Sequence, residues 1–258
     1  MREPILSAIG MMGDIGKDLL IWRATENLRA YTYKEGKEVV SELDRRAEAR
    51  VKAGIRSILP GYKIWGEELG RDSGDLTREN FVLIDAIDAS KNYLSGNPLF
   101  ASQIAVFESG EPAWSIVNLP ALGEMYLAIR GEGAYCNDIP LRPSAQDRLD
   151  LALQCFGIGH TAQNFLHLPS LIKDQLAEPR HYGCSGVHYS FVACGRTDIY
   201  IAAEAAYYDA APGLLLCREA GLEFCTLEGA RYEENEKNLS VVIGNAALIE
   251  QYKVAVRQ

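Results

Sequence analysis

The sequence has few of the residues that build zinc sites and disulfide frameworks. Its 258 residues include four histidines with no HExxH or HxxxH spacing and six cysteines with no CxxC pair. These absences argue against a zinc site and favour free thiols in a reducing cytoplasm. No stretch approaches the roughly 18 apolar residues of a transmembrane helix, and residues 1–13 resemble a helix start rather than a signal peptide. We therefore expect a cytoplasmic protein that does not enter a membrane.

Basic residues are also scarce. Lys and Arg number 26 against 35 acidic residues, which gives a formal net charge of −9 at pH 7. The densest basic stretch, from Arg45 to Lys52, contains Glu48 and has the pattern of a solvated helix face. Because nucleic-acid binding depends on concentrated positive charge, we expect no nucleic-acid ligand.

Apolar residues, in contrast, are plentiful. They make up 48% of the chain, and a chain of this length buries about 70–75% of its unfolded surface when it folds. The protein therefore needs no metal ion merely to fold, and a metal site found in it would serve its function.

The first half of the sequence predicts helices followed by a sheet. Apolar spacing predicts one helix from Gly13 to Leu28 and a second that is capped by Ser41 and ends at Pro60-Gly61. Short apolar runs separated by turn residues then predict an antiparallel sheet backed by these helices. The predicted strands are Phe81–Ile84, Ile104–Phe107, Trp114–Val117 and Met125–Ile129.

The second half alternates strands and helices, which is typical of α/β layers. Predicted strands are Leu151–Phe156, Asp198–Ala202 and Leu239–Ile243, and predicted helices are Asn164–Leu176, Ser185–Cys194 and Asp209–Ala220. The polar stretch Leu141–Asp150 is the best boundary. It divides an N-terminal α+β subdomain, residues 1–145, from a C-terminal α/β subdomain, residues 146–258.

The most informative segment joins an apolar strand to two carboxylates. Val82-Leu83-Ile84 leads into Asp85 and Asp88, and Ser90 follows. Carboxylates beyond the last ladder pair of a strand can converge on one hard cation, for which Mg²⁺ is suited. If Ser90 opens a helix, the amides after Asp88 form an anion site. The alternative is an ordinary turn after the strand, in which Asp85 and Asp88 are solvated.

Two further acidic segments have the same ambiguity. Trp65-Gly66-Glu67-Glu68 is either a solvated turn or an edge of metal ligands. Tyr208-Asp209 precedes an apolar helix that contains Pro212, and Asp209 is either the N-cap of that helix or a ligand.

Taken together, these segments resemble the inositol monophosphatase family of the fructose-1,6-bisphosphatase-like superfamily. Five other segments in the same order support the resemblance: Val40–Asp44, Gly131–Asn137, Gly183–Ser185, Val192–Asp198 and Arg218–Gly221. The resemblance implies an αβαβα layered sandwich with an antiparallel N-terminal sheet and a smaller C-terminal α/β half. It also implies a homodimeric, lithium-sensitive, Mg²⁺-dependent phosphomonoesterase acting on a small sugar or polyol phosphate.

The resemblance also assigns roles to residues. Two or three Mg²⁺ ions would be held by Glu67, Asp85, Asp88, Asp209 and the carbonyl of Ile87. Catalysis would use Glu67, Ser90 and Asp44, with a metal-activated water attacking phosphorus. Phosphate would bind at Asp88, Ala89 and Ser90, and the rest of the substrate at Gly183, Cys184, Ser185, Asp209 and Lys91.

The sequence departs from the family pattern at several of these places. Ala86 and Ala89 stand where the family has Pro and Gly, and Ala202 stands where inositol phosphatases commonly carry a glutamate. The last difference argues against inositol phosphate as the specific substrate. Fructose-1,6-bisphosphatase, 3′(2′),5′-bisphosphate nucleotidase and a regulatory protein-binding role with weak or no catalysis therefore stay open as alternatives.

Overall fold

The computed structural model describes residues 2–26, 28, 31–33, 39–74, 78–158, 179–203, 205–233 and 239–257. The helices in these ranges are α1 Glu3–Thr25, α2 Glu42–Ile58, α3 Ser90–Ser95, α4 Ser185–Ala193, α5 Tyr207–Glu219 and α6 Ala246–Ala255. The strands are β1 Tyr31–Tyr33, β2 Val39–Ser41, β3 Lys63–Gly66, β4 Phe81–Asp88, β5 Ala101–Glu108, β6 Glu111–Leu119, β7 Glu124–Ile129, β8 Gly133–Cys136, β9 Ile139–Pro140, β10 Gln154–Ile158, β11 Ile199–Ala203, β12 Glu223–Cys225 and β13 Val241–Gly244.

A seven-stranded sheet forms the centre of the first half. Its order is β3-β4-β5-β6-β7-β8-β9, with β3 parallel to β4 and all other pairs antiparallel. One face packs on α1 and α2, and the core between them includes Met12, Val51 and Ile104. Strands β4 and β5 are buried along nearly their whole length because both faces of the sheet are covered.

The other face of this sheet contacts α4 and α5, and α4 also contacts the second sheet. That sheet has four strands in the order β10-β11-β13-β12. One apolar cluster joins Val117 of the first sheet, Leu215 of α5 and Tyr200 of the second sheet. A separate cluster packs Ile201 and its neighbours against Tyr252 of α6. The layers are thus helices, sheet, helices, sheet and helix, which confirms the predicted αβαβα sandwich.

Some predicted boundaries were wrong. Helix α1 begins at Glu3, with Pro4 in its first turn, and ends at Thr25 rather than Leu28. Strand β4 continues through Asp88, four residues past its predicted end, because both aspartates still pair with β5. The predicted helix Asn164–Leu176 lies outside the described residues. The predicted subdomain boundary stays a prediction, although each half has its own sheet.

The six cysteines are all free, as their spacing predicted. No helix in the described ranges is both long and apolar enough to span a bilayer.

Candidate functional site

Three carboxylates converge at the edge where β3 and β4 end. Glu67, Asp85 and Asp209 each offer an oxygen, and these oxygens lie within 4.8 Å of one another. Strand pairing explains the first two: Gly66 pairs with Ile84 in the parallel β3–β4 ladder, so the next residue on each strand is an acid. Asp209 comes from the first turn of α5. The structure thus brings together acids that are up to 142 positions apart in the sequence.

The charge of this group fits a hard divalent cation. Asp85 is only 1% exposed. Burial raises its pKa well above the ordinary value, and the nearby Glu67, Asp209 and Asp88 carboxylates raise it further. Carboxylate oxygens are the ligands that Mg²⁺ prefers, and a divalent ion relieves the repulsion among them. The donor set therefore suits the expected metal.

Asp88 lies on the same strand but its carboxylate faces helix α4. It accepts hydrogen bonds from the backbone N–H of Ser185 at 3.2 Å and of Gly186 at 2.5 Å, and from the Cys184 thiol at 3.2 Å. Burial raises the pKa of Asp88, and these hydrogen bonds oppose that shift. The three-carboxylate group does not include it. In this structure Asp88 joins the predicted phosphate-binding residues Asp88–Ser90 to the predicted substrate segment Gly183–Ser185.

The prediction that both aspartates lie beyond the last ladder pair was wrong. Asp85 pairs with Gln103 and Asp88 pairs with Ala101, so β4 has one more residue than β5 between these pairs. Such an extra residue bends the strand and redirects side chains. As a result, carboxylates three positions apart both lie near one side chain of β5, Gln103.

Asp44 and Ser90 also meet, as the resemblance implied. The Ser90 hydroxyl donates to Asp44 Oδ1 at 2.5 Å and lies 3.1 Å from the carbonyl of Ile87. The other Asp44 oxygen accepts from the backbone N–H and the hydroxyl of Ser41 at 2.7 and 2.6 Å. This capping box at the start of α2 fixes the Asp44 carboxylate, and through it the Ser90 hydroxyl.

Helix α3 begins at Ser90, and Ala89 precedes it in a left-handed conformation with φ 71° and ψ 55°. This conformation is costly for alanine, so the replacement of the family's glycine has a visible consequence. Lys91 is exposed in the first turn of the helix. Asn92 connects this helix to the substrate segment, because its Nδ2 donates to the Tyr182 carbonyl at 2.9 Å.

The last acidic segment differs in detail from its prediction. The N-cap of α5 is Ala206, and Asp209 is the third residue of the helix. Pro212 therefore lies in the second turn, where its carbonyl accepts a hydrogen bond from Ser115 at 2.9 Å. Asp209 thus lies within the first turn of the helix and is not its N-cap.

Sequence reasoning missed the role of Glu48. It was predicted on a solvated face, but it is 0% exposed. Its carboxylate accepts the backbone N–H groups of Glu68 at 2.6 Å and Leu69 at 3.0 Å, and pairs with Lys52 at 3.0 Å. A methyl group at Gly66 would overlap this carboxylate. The available signal was its spacing, since Glu48 lies four residues after Asp44 and hence on the same helix face.

The sequence and the fold both match proteins that are already known. The sequence matches the inositol monophosphatase family over residues 8–257. An inositol-1-monophosphatase of Mesorhizobium japonicum is 32% identical over 226 residues, which are 86% of this chain and 84% of that protein. A Pseudomonas aeruginosa protein named Nus factor SuhB is 32% identical over 211 residues, 78% of each chain.

A solved structure of suppressor protein suhB from Bartonella henselae shares the fold. It superposes with a TM-score of 0.89 at 24% identity and covers 100% of this chain and 99% of that one. The family match extends over nearly the whole chain and includes every acid of the site. We conclude that this chain belongs to the inositol monophosphatase family and is a phosphoric monoester hydrolase.

Proposed function

We propose that the protein is a Mg²⁺-dependent phosphomonoesterase that hydrolyses a small sugar or polyol phosphate. The observation that carries this proposal is the convergence of Glu67, Asp85 and Asp209 within 4.8 Å. Together with Asp88 and the carbonyl of Ile87, these three residues would hold two or three Mg²⁺ ions. Asp88 and the Ile87 carbonyl are the next oxygen donors along β4.

When bound, Mg²⁺ supplies positive charge for the phosphoryl oxygens and favours ionisation of water. The chain's own residues then position the reaction. Asp44 holds the Ser90 hydroxyl, which orients the attacking water, and Glu67 accepts the proton that this water releases. The water oxygen bonds to phosphorus, the bond from phosphorus to the sugar oxygen breaks, and the released alkoxide takes a proton from solvent. Backbone N–H groups at Ala89 and Ser90 would donate to phosphate oxygens.

The rest of the substrate would contact Gly183, Cys184, Ser185 and Lys91. The position of the glutamate common in inositol phosphatases is occupied by Ala202, which is 1% exposed in β11 and packs in the core. Glu204, two positions later, lies outside the described residues. We therefore propose a polyol or sugar phosphate without specifying inositol, and keep fructose-1,6-bisphosphate and 3′(2′),5′-bisphosphate nucleotides as alternative substrates.

A panel of these phosphate esters tests the proposal by release of inorganic phosphate. We expect the protein to hydrolyse at least one of these esters. The rate of hydrolysis should depend on Mg²⁺ and should decrease when lithium is added. Asp85→Asn should reduce the rate by at least about 100-fold. Replacing a residue that only supports a metal ligand already reduces metal affinity or activity by up to about 100-fold, and Asp85 would be a ligand itself. Asp14→Asn is the matched control, because Asp14 is exposed and pairs with Lys17. No turnover of any ester, or an unchanged residual rate in Asp85→Asn, would refute the enzyme mechanism.

A second candidate function rests on the relative named Nus factor SuhB. A regulatory role would require a protein partner, since the net charge of −9 disfavours nucleic acid. Affinity capture with wild type and Asp85→Asn tests it. A partner retained equally by both forms, in chelator as in Mg²⁺, would support a scaffold over a catalyst. We also expect a homodimer in the cytoplasm, which solution scattering and fractionation would check.

A further inference from the structure

Gln103 is a buried polar residue at the acid cluster that none of the roles above uses. It is 0% exposed and is the third residue of β5, which lies between β4 and β6. Its Nε2 lies 3.5 Å from Asp85 Oδ2, 3.4 Å from Asp88 Oδ2 and 3.2 Å from the carbonyl of Asp209. One side-chain amide therefore reaches both aspartates of β4 and the first turn of α5.

The orientation of this amide follows from the charges around it. A carboxylate accepts hydrogen bonds only, so the NH₂ group and not the carbonyl must face Asp85 and Asp88. The remaining oxygen, Oε1, is buried without a partner among the described residues. A buried amide that leaves one atom unpaired costs free energy. Its presence in a buried part of the strand indicates that the NH₂ contacts matter.

The three contacts connect parts of the chain that could otherwise move apart and separate the predicted metal ligands. The extra residue between Asp85 and Asp88 makes β4 irregular here, and Asp209 belongs to a helix from the other half of the chain. Mutual repulsion among buried carboxylates favours their separation. A neutral donor between them counteracts that repulsion but leaves the full negative charge for a cation, unlike a lysine, which would neutralise it.

We propose that Gln103 is a positioning residue, which holds Asp85, Asp88 and the first turn of α5 in a ligand arrangement that exists before a cation arrives. The inference rests on the proposed metal dependence of the enzyme. It concerns how the site is assembled and gives Gln103 no contact with the substrate.

The test compares metal affinity with stability in wild type, Gln103→Met and Ser115→Ala. Methionine keeps the length and burial of glutamine but cannot donate. Ser115→Ala is the matched control, because the Ser115 hydroxyl also connects the sheet to α5 by donating to the Pro212 carbonyl at 2.9 Å. Titration calorimetry with MnCl₂ measures affinity, and thermal melting in chelator measures stability.

We expect Gln103→Met to bind Mn²⁺ about 10-fold more weakly, as outer-shell partners of metals typically do when replaced, and Ser115→Ala to bind like wild type. Equal affinities in all three proteins would overturn the inference and leave the proposed function intact. A wild type that binds no Mn²⁺ would overturn both.

Gln103→Lys gives a second measurement if the methionine variant does not fold. Its ammonium group should raise the melting temperature in chelator, since it pairs with the same carboxylates, and should abolish Mn²⁺ binding. A lysine variant that melts lower than wild type yet binds Mn²⁺ normally would contradict a positioning role.

Discussion

At the scale of single residues, the position of Glu67 depends on a carboxylate that does not face the metal cluster. Glu48 is enclosed beneath the loop after β3, where it accepts the amides of Glu68 and Leu69. Gly66 leaves space for it, and the amides belong to the residues directly after Glu67. The backbone that follows Glu67 is therefore fixed by α2, the helix that also holds Asp44.

Glu48→Gln tests this anchoring. Glutamine has the same shape, but its NH₂ group would face a backbone N–H, so one amide would lose its acceptor. A buried group left unpaired in this way costs about 1–3 kcal/mol, which urea denaturation would measure. Because the Glu67 loop would loosen, we also expect about 10-fold weaker Mn²⁺ binding.

Glu42→Gln is the control for this substitution. Glu42 lies on the same helix with its side chain 83% exposed, and its loss should change neither quantity. If Glu48→Gln lowers stability but leaves Mn²⁺ affinity unchanged, the anchored loop does not govern the position of Glu67.

At the scale of elements, the turn between β4 and α3 combines a rigid geometry with an unfavourable residue. Ala89 adopts the left-handed conformation, which costs a residue with a Cβ roughly 1–2 kcal/mol. Contacts on both sides enforce it, since Asp88 is held by α4 and Ser90 by Asp44. The strain persists because those neighbours are fixed.

Ala89→Gly should therefore stabilise the protein. The relief of strain exceeds the extra chain entropy of glycine, and we expect a net gain of up to about 1 kcal/mol in the free energy of unfolding. Ala86→Gly is the opposite control: Ala86 is extended and buried in β4, so glycine there should cost about 1 kcal/mol. If glycine lowers the free energy of unfolding equally at both positions, Ala89 is not strained.

The helices and strands also show which parts of the site can be predicted from the sequence. Strand β4, the capped start of α2 and the helix at Ser90 follow from local patterns, and so does the order of the acidic segments. The bulge between Asp85 and Asp88 depends on pairing with β5, which no local pattern encodes. Gln103 and Glu48 were missed for the same reason, because their partners come from other elements and only the register brings them together.

At the scale of the whole molecule, the acid cluster lies where the layers meet. Glu67 follows β3 and Asp85 lies on β4 of the first sheet. Asp209 lies on α5, which packs on that sheet and shares an apolar cluster with the second one. Three carboxylates converge here in a chain whose net charge is −9. The metal-free protein therefore carries repulsion between the first sheet and α5, and a cation bound there would hold these two elements together.

We expect Mg²⁺ to stabilise the entire fold for this reason. A ligand that binds only the folded state adds about 2.7 kcal/mol at 100 times its dissociation constant, which raises the melting temperature by several degrees for a chain of this size. Differential scanning calorimetry should show the rise in Mg²⁺, its reversal by chelator and its absence in Asp85→Asn. Asp85→Asn should in addition melt higher than wild type in chelator, since one buried charge is removed from the cluster. A wild-type melting temperature that is the same in Mg²⁺ and in chelator would mean that no cation bridges the first sheet and α5, and would remove the physical basis of the proposed phosphatase mechanism.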